Sequence, residues 1–360
     1  EPRIDYKDDS KGALLLEPQR TNLFTYSQNI TATGNNWEIV SVTAEESSVI
    51  SPYALQNATK IVRPNDTSSA WIRQRPTVVV GQNQVISVFA KAGNESVFCI
   101  TYYDVIDADR FFNFNLSTQV ISGNGLSDNT YVDSGIEDYG NGWFRCYVVI
   151  QAGFEVPQVQ FGVGANRIGI PSGYLYVYAP QFESNASYAT SYIPTSGGVV
   201  TRVQDACNNG ANEQVINSTE GVFYFEGSAL ADDGTNRFLS LNDGTTNNYI
   251  YFRYVTTSNQ YLFRTQVGGA TVNTLSGFLT DTTENHKFAF KFKSGDYAMW
   301  VDGVEISTDT SSTIFPSNTL SNIEFSFPTD GGSGFQSKTR DLRVYNTALT
   351  DQELINLTTI

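Results

Sequence analysis

Between residues 286 and 293 the chain reads His-Lys-Phe-Ala-Phe-Lys-Phe-Lys, with Phe288, Phe290 and Phe292 on one parity and Lys287, Lys291 and Lys293 on the other. A β-strand, whose side chains alternate faces, sorts those two chemistries onto opposite sides. The strand so predicted is half-buried and antiparallel, apolar toward a core and charged toward water. Close by, Met299 to Ile306 reads as strand, Asp302-Gly303, strand, the composition of a two-residue hairpin.

The same short period fills most of the chain. Alternating runs occur at 37–43, 70–79, 84–91, 96–104, 110–116, 143–151, 158–163 and 174–183, punctuated by Gly81-Gln82, Ala92-Gly93-Asn94, Gly123-Asn124-Gly125 and Asn141-Gly142. A second block covers 221–229, 236–242, 248–255, 260–267, 286–293, 296–301, 304–307, 321–327 and 339–346. A helix is predicted only at the end, where Thr350 and Glu353 form a capping box and Leu349, Leu354 and Leu357 share a face. The predicted fold class is all-β: two tandem antiparallel β-sandwich (jelly-roll) domains with a short C-terminal helix.

Between the blocks, Ile193-Pro194-Thr195-Ser196-Gly197-Gly198 loses an amide donor and gains two flexible residues, which ends any strand. The division read from this seam is an extended lead-in over 1–28, lying along the first domain, then a jelly-roll domain over 29–193. A linker over 194–220 and a second sandwich over 221–360 follow. At 360 residues the length suits two domains.

Twenty Tyr and 23 Phe against only 16% charged residues mark a folded chain. A net charge of −15 with no Lys/Arg cluster argues against a nucleic-acid partner. No apolar run approaches the ~18 residues of a membrane helix, so membrane insertion is not expected. Cys99, Cys146 and Cys207 are too few for a disulfide framework, and the first two read as buried thiols on neighbouring strands.

Catalysis has few candidates. The lone histidine, His286, opens a strand after a polar turn and reads as structural. Glu324 and Glu305 stand singly, and Glu45-Glu46 point to opposite faces of a solvated edge. No pair has the arrangement a glycosidase needs, so the expectation is no enzyme and no catalytic residue. No cofactor is expected. Calcium stays open, because Asp104, Asp107 and Asp109 share one loop and Asp232-Asp233 another, with neither matching an EF-hand.

Carbohydrate binding fits the composition best. Aromatic rings stack on the C–H faces of pyranoses while amides and carboxylates meet the hydroxyls. The candidate binding residues are Trp71, flanked by charged neighbours; Tyr102 and Tyr103, on opposite faces of one strand so that one turns outward; and Trp300, on the outer side of its hairpin. Tyr174, Tyr176 and Tyr178 share a face, which reads as core, and Trp143 reads as core as well.

Three groups of residues go beyond composition. Leu14-Leu15-Leu16-Glu17-Pro18-Gln19-Arg20-Thr21-Asn22-Leu23 with Tyr26-Ser27 resembles the lead-in of a module widespread in bacteriophage tail-fibre and virion proteins. Phe89-Ala90-Lys91-Ala92-Gly93, Gly140 to Cys146, and Ala179 to Glu183 continued by Ala189-Thr190-Ser191-Tyr192-Ile193-Pro194-Thr195 resemble the same module in the same order. That module is similar to jelly-roll carbohydrate-binding modules, whose opening Asn-Leu and following Trp are matched by Asn22-Leu23 and Trp37. The second block resembles laminin-G/concanavalin A-like domains through His286-Lys287-Phe288, Val301-Asp302-Gly303-Val304 and the closing Arg340 to Glu353.

The resemblance implies a non-catalytic segment of a phage tail or head fibre, on the virion surface and hence extracellular. Its partners would be host cell-surface glycans and other virion proteins, and its state a homo-oligomer, a trimer. The alternatives are a virion decoration or spacer without glycan binding, and a polysaccharide depolymerase or lyase.

Overall fold

The computed structural model describes residues 3–7, 10–31, 36–54, 57–64, 69–104, 109–328 and 334–360. The regular structure is nearly all β, in four sheets whose strand pairs are antiparallel, with a C-terminal helix Asp351–Thr358.

The chain divides into two compact units, and the division differs from the one read at Pro194. One unit is Arg20–Arg202; the other joins Glu1–Gln19 to Val203–Ile360. The first is therefore inserted into the second. The segment expected to be a lead-in over 1–28 is divided between the units: Arg3–Asp5 and Ala13–Leu16 are strands of the split unit, and Arg20–Asn22 is a strand of the inserted one. Ala13–Leu16 pairs with Ser337–Tyr345, placing Leu14 opposite Thr339 and Leu16 opposite Ser337. Arg3–Asp5 pairs with Ala13–Leu16 in turn. Leu16 enters the split unit's core. Nor is 194–220 one linker, since Val200–Arg202 pairs with Arg20–Asn22 as an edge strand of the inserted unit. The chain thus enters and leaves that unit on neighbouring antiparallel strands. Within the split unit, Glu17 N–H donates to Asp205 Oδ2 at 2.7 Å and Asp205 N–H to the Glu17 carbonyl at 3.0 Å. The Arg3 guanidinium bonds both carboxylates.

In the inserted unit, Tyr131–Asp138, Trp143–Gln151, Asn83–Ala92, Tyr174–Ser184, Arg20–Asn22 and Val200–Arg202 follow one another in an eight-stranded sheet, which Asn57–Val62 and Thr43–Ile50 complete beside Tyr174–Ser184. The facing six-stranded sheet runs Val120–Ser122, Arg110–Asn115, Val97–Tyr103, Gln158–Val163, Trp71–Gln74, Glu38–Val40. Phe98, Ile100, Phe112, Phe114 and Phe161 from one sheet meet Ile86, Val88, Val148, Leu175 and Val177 from the other. Trp37 packs here too, 5.2 Å from Phe24 between ring centroids. Cys99 and Cys146 are buried, but on strands of different sheets rather than on neighbours.

The split unit pairs a seven-stranded sheet with a five-stranded one. His286–Lys293 lies inside the larger sheet, with Phe288, Phe290 and Phe292 fully buried. Asp302 (φ 50°) and Gly303 (φ 82°) are both left-handed, the backbone a type I′ hairpin requires. Thr350 caps the helix, and Glu353 returns the bond to the Thr350 amide, completing the capping box. The helix covers the outer face of the hairpin. Lys291, expected to be solvated, is buried there and pairs with Asp296 at 2.8 Å and Asp351 at 3.2 Å.

Candidate glycan-binding surface

Of the four rings singled out in the sequence, two are closed off from solvent. Tyr102 is 0% exposed because its parity is that of Phe98 and Ile100, which face the core. The Arg110 guanidinium lies 5.8 Å over its ring, and burial raises its phenol pKa. Trp300 does point outward from its hairpin, but Leu354 of the helix covers it and leaves it 5% exposed. Tyr103 is thus the one of its pair that turns outward, and Trp300 lies on the outer side of its hairpin, but neither Tyr102 nor Trp300 offers a ring to solvent.

Trp71 and Tyr103 are half-buried on the outer face of the six-stranded sheet. They do not form one site. Trp71 is opposite Gly162 and Tyr103 opposite Gln158 on the intervening strand, an offset of roughly 13 Å along the strand direction. The face of Trp71 is occupied: Arg167 Cζ sits 4.7 Å from its centroid and Arg73 Cζ 5.9 Å. Arg167 is held there by Asp109 and Gln160.

The carboxylates considered for calcium are also engaged. Asp104 pairs with Arg110 at 2.9 Å, Asp109 with Arg167, and Asp233 with Arg237 at 2.8 Å. Asp232 accepts from Ser258 and from the Asn259 amide. Asp107 lies outside the described residues. Among the described residues, no group of three or more His, Cys, Asp or Glu side chains is placed to hold a metal ion. His286 spends both ring nitrogens, Nδ1 at 2.6 Å from Asp302 Oδ2 and Nε2 at 3.0 Å from the Asp281 carbonyl. It fixes the end of the hairpin to the strand.

The aromatic surface lies elsewhere, on the outer face of the eight-stranded sheet. The tyrosine stripe read as core is part of it: Leu175 and Val177 face the core, so Tyr174, Tyr176 and Tyr178 face the other way. Register places Arg145, Phe89 and Tyr178 side by side on three adjacent strands. The next row holds Trp143, Lys91, Tyr176 and Lys60. Trp143 is buried here as expected, though on this outer face, and its indole N–H donates to the Ile50 carbonyl at 3.1 Å.

Two turns add the exposed rings. Tyr53 stands nearly perpendicular to Phe89 at 5.4 Å, and Tyr139 does so at 4.8 Å. They remain 38% and 37% exposed. Tyr192 stacks on Tyr53 at 6.5 Å and donates to or accepts from Ser27 Oγ at 2.8 Å. Beneath them Arg145 lies 5.7 Å from the Phe89 centroid. The result is a surface of phenol edges and faces over a buried guanidinium, suited to a ligand with apolar C–H faces and many hydroxyls. Neither Tyr53 nor Tyr139 stood out in the sequence, since neither belongs to an alternating run. The available signal was a large ring inside a polar turn, after Pro52 and before Gly140-Asn141-Gly142.

Residues 223–355 match the laminin-G-type family described as the concanavalin A-like lectin/glucanases superfamily. The match lies in the C-terminal part of the split unit. Similar solved structures include the carbohydrate-binding module CBM40 of the Ruminococcus gnavus IT-sialidase bound to α2,3-sialyllactose (15% identity, 43% of this chain and 97% of that one, TM-score 0.35). A pentraxin of Limulus polyphemus (11% identity, 41% and 72%, TM-score 0.33) and laminin α1 domains LG4-5 of mouse (11% identity, 79% and 90%, TM-score 0.29) are others. No curated protein matches the chain in sequence.

Proposed function

We propose that this chain is a non-catalytic glycan-binding protein whose principal contact surface is the Tyr53–Tyr139 face of the inserted unit. The observation that carries the reading is that two tyrosine rings, each more than a third exposed, are held rigidly against a buried aromatic floor. Exposed rings held this way lose little entropy on binding and offer both a stacking face and a hydroxyl. The lectin/glucanases family match over residues 223–355, in the other unit, supports a carbohydrate ligand for the chain as a whole rather than for this face. Engagement of His286 and of the loop carboxylates in internal bonds supports a binding role over catalysis.

The finer reading is a bacteriophage tail- or head-fibre segment, exposed on the virion, bound to other virion proteins and trimeric. Its support is the resemblance carried by residues 14–23 and 189–195. Weak single sites on a trimer would gain strength by avidity.

The test is retention of the intact chain on host-envelope polysaccharide gels and a glycan array. Retention lost in both Tyr53→Ala and Tyr139→Ala, with unchanged melting, supports the reading. Absence of retention on every glycan favours the spacer alternative, and release of reducing or unsaturated ends from the polysaccharide favours a depolymerase.

A further inference from the structure

Five arginines of the described residues are deeply buried: Arg63, whose Nη1 donates to the Val163 and Arg167 carbonyls, and Arg110, Arg145, Arg167 and Arg237, of which three face carboxylates. Arg110 has Asp104 and Asp128 at 2.9 and 2.7 Å, Arg167 has Asp109 at 2.5 Å, and Arg237 has Asp233 at 2.8 Å. Arg145, only 5% exposed, has no carboxylate within ion-pair distance among the described residues. Its Nη2 donates to Ser87 Oγ at 3.0 Å and to the Thr190 carbonyl at 2.6 Å, and its Nε has no acceptor. A buried guanidinium with no carboxylate in direct contact is costly, and its remaining N–H groups are left to meet an anion.

The neighbouring charges are accounted for. Glu183 is fully buried and accepts from the Thr190 hydroxyl and, at 3.1 Å, the Thr190 amide. Thr190 thus stands between the two charges, and Glu183 does not close on Arg145. Besides Glu183, the groups within electrostatic reach of Arg145 are the phenols of Tyr139 and Tyr53 and the carboxylate of Glu137, directly opposite Arg145 on the neighbouring strand. The adjacent row adds two cations. Lys91 Nζ donates to the Asn141 carbonyl at 2.5 Å, and Lys60 Nζ lies 4.7 Å over Tyr174 while pairing with Glu45 at 3.1 Å. On a chain of net charge −15 this face gathers three basic side chains beside its exposed rings.

We infer that the Tyr53–Tyr139 face recognises the carboxylate of an acidic sugar, a uronate or sialate residue, with Arg145 as the anion-binding group and the two phenols at its rim. The inference rests on the glycan-binding reading of the same surface. A carboxylate takes two parallel N–H bonds from a guanidinium, whereas a neutral sugar hydroxyl takes one.

The experiment measures binding of the intact chain to tetragalacturonate, to its fully methyl-esterified form and to sialyllactose, alongside neutral cello- and chito-oligosaccharides. The expected result is at least tenfold tighter binding to a carboxylate-bearing ligand than to the methyl ester or any neutral oligosaccharide, weakening as salt is raised. Tyr53→Ala and Tyr139→Ala each weaken it at least fivefold. Arg145→Lys retains part of the preference and Arg145→Gln abolishes it, with folding followed by circular dichroism. Equal binding of the acid and its ester, or a preference for acid that survives both tyrosine variants, overturns the inference. Neutral glycans bound and then lost with the tyrosine variants would overturn the acidic specificity while leaving the glycan reading intact. No binding to any glycan would overturn both.

Discussion

The carbonyl of Ile193 accepts a hydrogen bond from Asn22 Nδ2 at 2.9 Å, and the same asparagine's Oδ1 accepts the amides of Phe24 and Phe182 at 3.1 and 3.0 Å. One buried side chain thus ties the first strand of the inserted unit to its last long strand and to the segment that follows. Thr195 and Ser27 add a reciprocal pair, each amide donating to the other's hydroxyl at 3.0 and 2.8 Å. The strings around residues 22 and 195 are therefore specific because they close the fold. Asn22→Leu strands two amides and a carbonyl in the interior. The expected loss is about 3 kcal/mol or more, read from the urea midpoint.

A truncation to residues 221–360 removes Ala13–Leu16 from the edge of Ser337–Tyr345 and Leu16 from the core. It is expected to aggregate or remain unfolded. Residues 1–19 joined by a short linker to 203–360 keep the Glu17–Asp205 bonds and should give a monodisperse, β-rich protein. Size-exclusion chromatography and circular dichroism compare the two.

Thiol labelling should resolve one cysteine from two. Burial holds the Cys99 thiol up at about 11 and the Cys146 thiol well above its usual value, while Cys207 is exposed. Iodoacetamide at pH 8 is expected to modify one equivalent in the native protein, slowly because the Cys207 pKa is also raised, and three in denaturant. Mass spectrometry locates the adducts.

Glu38 bonds Arg73 through both carboxylate oxygens and Arg75 through one, and chiefly the Arg73 bond lowers its carboxyl to about 2. A depressed folded-state value means the stabilisation is complete above the ordinary 4.5 and disappears as pH falls through about 2. The carboxylate is half solvated, so screening keeps the contribution small. Glu38→Gln is expected to cost under about 1 kcal/mol at pH 7, and the difference from the parent to vanish near pH 2. Thermal melts over that range measure it.

Leu354→Ala opens the cover over Trp300. The expected cost is about 3 kcal/mol, with a red shift of tryptophan emission that is absent when Trp300 is already Phe.

Central strands were legible where one face is core. The Phe288, Phe290, Phe292 row, the Asp302-Gly303 turn and the capping box at Thr350 all appear where the pattern puts them. Thr43–Ile50, Tyr131–Asp138 and Ala270–Phe278 did not register, since each is polar on much of both faces. All three are sheet edges with little apolar burial to pattern them. Ala13–Leu16 lacked any local sign of its partner, which lies at the opposite end of the chain. The parity of Phe98 and Ile100 could have assigned Tyr102 to the core. Nothing local could reveal that a helix covers Trp300, or that turns bring Tyr53 and Tyr139 to Phe89, because those are long-range contacts.

The insertion also sets an order of events at the ribosome. Ala13-Leu14-Leu15-Leu16 emerges before the inserted unit, yet the strand that receives it is translated only after residue 336. At ordinary elongation rates of about 5–20 residues per second, that apolar tetrapeptide waits tens of seconds unpaired. During that delay the whole of Arg20–Arg202 has emerged and is free to close first. Nascent chains should therefore be vulnerable to chaperone capture at Ala13–Leu16 until Ser337–Tyr345 is made, and slowing translation between Arg202 and Ser337 should lower the yield of soluble product.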